Sequence, residues 1–74
     1  MSSEIAVRLR TVRKTLGLSQ EAFGKPVFIR RQDIHAYETE DRQPGLIVLS
    51  RLALEYNISL DWLILGRGQP FITV

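Results

Sequence analysis

The sequence predicts an all-α fold, a compact bundle of five short helices in one domain spanning residues 1–74. Three observations predict it. Apolar residues recur at intervals of three and four rather than two. Capping residues and helix breakers divide the chain into short segments. No segment shows convincing strand character, residues 71–74 being the one stretch that could pair as a strand. A chain of 74 residues, 45% hydrophobic, suits one domain with a small core. Domains of this size bury a modest share of their surface, so packing against a second copy is expected to help.

The first helix is expected over residues 3–16. Ile5, Leu9, Val12 and Leu16 fall on one face, and Arg8, Arg10, Arg13 and Lys14 lie largely off it. Ser2 or Ser3 caps its start and Gly17 stops it. Ser19 is the N-cap of a second helix, with Leu18 placed to pack on Phe23 as a hydrophobic staple. Pro26 lacks a backbone donor and disfavours helical geometry at Lys25, so this helix should end near residue 25 or 26.

A third helix is expected from about Arg31 to Glu38, with Ile34 and Tyr37 inward and Ile29 or Phe28 anchoring its entry. The polar stretch from Thr39 to Gly45, which carries Pro44, reads as a loop. The fourth helix spans roughly 46–56, with Leu46, Leu49, Leu52, Ala53 and Tyr56 inward and Asn57 as a left-handed terminator. Ser59 caps a fifth helix near 60–65 that carries Leu60, Trp62, Leu63 and Leu65, with Trp62 assigned to the core. Gly66, Gly68 and Pro70 end it, so residues 3–66 form the core unit and 67–74 an apolar tail.

Composition excludes several functions. The chain has no cysteine, which removes disulfides and thiolate metal sites. With one histidine besides, a zinc site is not expected, nor any other cofactor. No apolar run approaches the roughly 20 residues that span a bilayer. The first residues lack a signal-peptide apolar stretch, so a cytoplasmic location without membrane attachment is expected. No acid–base pair at a recognisable spacing, phosphate-binding glycine loop or metal cluster marks an enzyme or a small-molecule substrate. His35 has no partner at a spacing that would make it catalytic.

Net charge is +2, but it is unevenly spread. Residues 1–37 hold seven Lys/Arg against three acids, a balance of +4; residues 38–74 hold three against five, a balance of −2. A basic half implies a surface facing a polyanion, although ordinary decoration of solvated helices gives the same count.

Two short helices joined by a tight turn make a helix-turn-helix, the layout of a double-stranded DNA reader. In that layout the start of the second helix, here Ser19 and Gln20, offers backbone N–H groups to phosphate. The third helix must turn polar side chains outward to reach base edges in the major groove. Arg30, Arg31, Gln32, Asp33, His35 and Ala36 supply them, with only Ile34 of residues 30–36 pointing in. Arginine pairs two-pronged with guanine, glutamine with adenine, and alanine meets a thymine methyl.

Residues 8–66 resemble the helix-turn-helix domain of phage repressors of the lambda and Cro type, the XRE family. The resemblance rests on Arg8-Leu9-Arg10 with Arg13 and Lys14, then Leu16-Gly17-Leu18-Ser19-Gln20-Glu21. It continues through Ile34, Tyr37-Glu38, Arg42, Pro44, Leu49, Leu52 and Ala53 to Ile58-Ser59-Leu60-Asp61-Trp62-Leu63 and Gly66. A Glu stands 18 residues after the Gln and a Pro six after that Glu, and the spacing fits without gaps.

The resemblance implies a lambda repressor-like fold and a transcriptional regulator, a repressor, binding near-palindromic operators as a homodimer. It implies that Arg31, Gln32 and Ala36 read bases, flanked by Arg30, Asp33 and His35. Gln20 then buttresses phosphate and base contacts, Arg42 contacts phosphate, and Arg13 and Glu38 form a structural ion pair. It also implies a dimer contact through the last helix and the loop before the fourth; Ile64, Leu65 and Phe71, of the fifth helix and tail, are the candidates. Phe71 could instead simply cover the core.

Three departures bear on that picture. Phe28 stands where the family carries a small residue at the turn, and Pro26 where its second helix continues; both point to a turn of different shape. Glu40, followed by Asp41, replaces a glycine after the third helix and would weaken phosphate attraction unless paired or turned away. These departures motivate an alternative: a protein-interaction module on the same fold with weak or no DNA binding. An antitoxin or restriction–modification controller would combine DNA binding with a partner protein.

Overall fold

The computed structural model describes residues 4–72, and the expected Ser2 or Ser3 cap and Val74 lie outside them. The order is α1 (Glu4–Thr15), α2 (Gln20–Gly24), a 3₁₀ turn (Lys25–Val27), α3 (Arg31–Glu38), α4 (Leu46–Tyr56) and α5 (Asp61–Leu65), the last a single wide π-type turn. Five helices therefore form an all-α bundle around one apolar cluster. The tail returns along residues 57–59: Ser59 N–H donates to Pro70 O at 2.9 Å and Ile72 N–H to Asn57 O at 2.8 Å, with one antiparallel bridge between Ile58 and Phe71.

The core takes one face from each element. Leu9 and Val12 come from α1, Phe23 from α2, Ile34 and Tyr37 from α3, Leu49, Leu52 and Ala53 from α4, and Leu63 from α5. Val27, Ile29 and Ile58 fill it from the connections. Phe23 is fully buried and stacks on Tyr56, ring centroids 4.9 Å apart, while the Tyr56 hydroxyl donates to Phe23 O at 2.6 Å. That hydrogen bond matters because α2 is only five residues long and gains little stability from its own backbone. Leu18 packs on the same cluster, where a staple to Phe23 would place it.

Two expectations about burial fail for geometric reasons, and one pair of alternatives is decided. Leu16 is exposed because α1 ends at Thr15, one residue short of the turn that would carry Leu16 inward. Leu46 is 71% exposed at the first position of α4, where the chain enters the helix from the exposed Gly45. Ile29, not Phe28, anchors the entry to α3: Ile29 is buried and Phe28 is 90% exposed.

The turn between α2 and α3 also departs from expectation. Pro26 does shorten α2, but a 3₁₀ turn takes up the chain, with Pro26 where its missing N–H costs nothing. Phe28 then adopts the left-handed conformation, φ 60° and ψ 38°, so the turn keeps the backbone shape that glycine would give it. Glu40 does the same after α3, at φ 69°. Gly24 allows the close approach beneath the turn. It accepts a hydrogen bond from Ile29 N–H at 2.9 Å, and a Cβ on it would lie 2.2 Å from the Ile29 carbonyl oxygen.

A left-handed L-residue costs about 1–2 kcal/mol. Phe28 recovers little of that by burial. Phe28→Gly is expected to raise stability by up to about 1 kcal/mol, allowing for the extra backbone entropy of glycine. Urea denaturation checks this: an unchanged or lower midpoint would mean that the Phe28 ring stabilises the turn.

Candidate nucleic-acid interface

The site is built on α3. Its inner face buries Ile34 and Tyr37, which leaves Arg31, Gln32 and His35 exposed on the outer face and Ala36 half-buried at its edge. Among the described residues, neither Arg31 nor Gln32 forms a side-chain hydrogen bond or ion pair within the chain. Both side chains are free to meet a ligand.

Arg13 on α1 holds this helix in place. Its Nε donates to Glu38 Oε2 at 2.7 Å and its Nη2 to Glu38 Oε1 at 2.9 Å, a two-pronged pair. Its Nη1 donates to Leu18 O at 2.9 Å, in the connection before α2. Gln20, the first residue of α2, donates to Glu38 Oε1 at 3.3 Å and places the same Nε2 3.5 Å from His35 Nδ1. One carboxylate thus ties α1, α2 and α3 together. The Glu38 side chain is 4% exposed and that of Arg13 is 12% exposed, so the pair is largely removed from water. The Glu38 hydrogen bond, with its charge, raises the Arg13 guanidinium above its ordinary pKa against the opposing effect of burial.

Ser19 caps α2, its Oγ accepting from Ala22 N–H at 3.0 Å; its hydroxyl proton stays available to an acceptor outside. Ser19 is exposed and Gln20 half-buried.

Three of the remaining candidates form a group of their own. Asp33 accepts from Arg30 Nε at 3.3 Å and from Arg42 Nη2. The Arg42 guanidinium also lies 5.3 Å from the centre of the Tyr37 ring, within cation–π range. Asp33 is therefore occupied by two arginines rather than turned outward alone. The hydrogen bond from Arg42, then that from Arg30, holds its carboxyl below the usual carboxylate range. Arg42 comes into reach because its N–H bonds to Ala36 O at 3.3 Å, which folds the chain back along α3.

The basic half of the sequence is only partly a surface. Arg13 is consumed by Glu38, and Arg8 donates to Leu63 O at 3.1 Å and Ile64 O at 3.3 Å, at the end of α5. Gly66 makes room for that arginine: a Cβ there would lie 2.7 Å from its Nη2. Gly24 and Arg8 carry structural roles that spacing alone did not assign. A signal for Gly24 was present in principle, a glycine in a helix too short to tolerate it without reason. Among the described residues no group of three His, Cys, Asp or Glu side chains is placed to hold a metal.

Two outcomes follow from these contacts. Glu38→Gln leaves the nearly buried Arg13 without its counter-charge and should cost about 3–5 kcal/mol, read as a lowered urea midpoint. A loss under 1 kcal/mol would mean that water replaces the carboxylate without penalty. For Asp33 the folded pKa lies below the unfolded one. Its stabilising effect is therefore present above the unfolded value and is lost as pH falls through the lowered folded value. Asp33→Asn should flatten the acid side of the pH–stability profile; an identical profile would deny the group its role.

Comparison with known proteins is consistent with this geometry. No curated protein and no solved structure matches the chain significantly. A family model described as a helix-turn-helix domain matches residues 6–69, a span from early α1 to beyond α5. That span covers most of the chain, and the protein belongs to the helix-turn-helix domain family of the XRE type.

Proposed function

We propose that the protein is a sequence-specific DNA-binding transcription regulator, a repressor, that places α3 in the major groove. The observation that carries this reading is the outer face of α3, where Arg31 and Gln32 are exposed and unengaged while Glu38 of the same helix is locked to α1 and α2. A reading helix must be rigid in its frame and free at its surface, because a base edge is recognised only by donors held in register.

In this assignment Arg31 and Gln32 read bases and the Ala36 methyl meets a thymine. His35 lies at the margin, beside Gln20. Ser19, Gln20 and Arg42 face phosphate. Asp33 and Arg30 leave the base-reading set: Asp33 positions Arg30 and Arg42, and their paired charges reduce the attraction to phosphate that a bare arginine count implies. The protein acts by binding and not by catalysis, and it works inside the cytoplasm. Two copies joined through exposed Ile64 and Leu65 of α5 form a homodimer that binds a near-palindromic operator. Phe71 is withdrawn from that contact, since it packs half-buried on its own core.

Selection of bound sequences from a random duplex library tests the reading. A palindromic consensus is expected. Arg31→Ala should cost about 1–3 kcal/mol at one base position and relax specificity there. Arg42→Ala should weaken binding evenly and lower the salt slope by about 1. If no sequence is enriched even at low salt, the protein-interaction reading takes its place, and the exposed Phe28 ring is the observation that favours it.

A further inference from the structure

The face of α4 that points away from the core remains unused by the DNA reading. Ile47 is 69% and Leu54 82% exposed, two turns apart on one side of the helix, and the strained Phe28 shares a hollow with Leu54. Leu54 is a ridge between two hollows. One is lined by Pro26, Val27 and Phe28 with Arg51 and Glu55; the other by Ala53, Ile58, Leu60 and Ile72. Large apolar side chains grouped in this way mark an interaction surface rather than scattered exposure. The left-handed Phe28 adds a second sign, because strain kept where glycine would relieve it calls for a return elsewhere.

The charges on this face indicate the occupant. Arg51 and Glu55 flank Leu54, opposite in sign and one turn apart, and among the described residues neither is in an ion pair. A twofold contact needs one patch that complements itself, with residue i meeting j and j meeting i. Two α4 helices packed antiparallel, with the axis at the level of residue 53, set Arg51 against the partner's Glu55 and Glu55 against the partner's Arg51. The same pairing seats each Leu54 ridge beside the other copy's hollows. A knob next to a hole and a cation next to an anion on one surface are what such a contact requires.

We propose that the outer face of α4, with Phe28, is a self-association surface that binds a second copy of this chain, separate from the contact at α5. This proposal does not rest on DNA binding and is tested without DNA.

Sedimentation equilibrium of the purified chain, from micromolar to millimolar concentration, should show mass rising above that of one chain. Leu54→Glu should weaken association about tenfold or more. Phe28→Gly should weaken it too while leaving the unfolding midpoint equal or higher, which separates lost contact from lost folding. Arg51→Glu and Glu55→Arg should each weaken association, and the double variant should restore it, since both cross-pairs are then rebuilt with reversed sign. The proposal is overturned by a single-chain mass throughout, or by association indifferent to Leu54→Glu. It is overturned equally if only Leu65→Glu lowers the mass, which assigns the contact to α5. A double variant no better than the singles would also sink it and assign the face to a different protein.

Discussion

The contact between Arg13 and Glu38 sets the frame of this protein. A guanidinium and a carboxylate that are largely out of water are costly unless each finds its full complement of partners. Here the main partners are in place: Glu38 receives two donors from Arg13 and one from Gln20, and Arg13 gives a third donor to the Leu18 carbonyl. No buried side-chain polar atom among the described residues lacks a partner. Such a network is demanding of geometry. It accepts one spacing of α1, α2 and α3 and rejects small shifts, so the orientation of the α3 ridge is set by a charge pair and not by apolar packing alone.

Helix termination is the second constraint. The five helical segments are short, and a left-handed residue follows each of them: Gly17, Phe28 after the 3₁₀ turn, Glu40, Asn57 and Gly66. Three of the five are glycine or asparagine, which adopt that conformation cheaply. Phe28 and Glu40 do not, and the fold keeps the turn shape at a cost in stability. The core absorbs that cost because Phe23, Ile34, Leu52, Ile58 and Leu63 converge at almost complete burial.

Charge in this chain is organised by pairing more than by sum. Two of the seven cations in the first half serve structural ends, Arg8 at the end of α5 and Arg13 at Glu38. Two more arginines, Arg30 and Arg42, converge on Asp33. Among the described residues, Arg31 and Gln32 reach outward from α3 without an internal partner. Under the proposed function, such a surface relies on a few defined contacts and less on a broad positive field, which favours discrimination over non-specific attraction.

The sequence by itself determined the local architecture. Periodicity placed α3 and α4, the Ser19 cap opened α2, Pro26 shortened it, and Asn57 closed α4, because each of these acts within a few residues of where it stands. The spacing of Gln20, Glu38 and Pro44 carried the resemblance that a family model matches. Only the tertiary structure decided what depends on neighbours distant in the chain. It exposed Leu46 and Leu16 where the pattern put them inward, kept a glycine-like turn at Phe28, required Gly24 under Ile29, and paired Asp33 with two arginines. The physical reason is one of range. Caps and periodicity are written into adjacent residues, whereas burial, counter-charges and steric room are set by segments that meet only when the chain has folded.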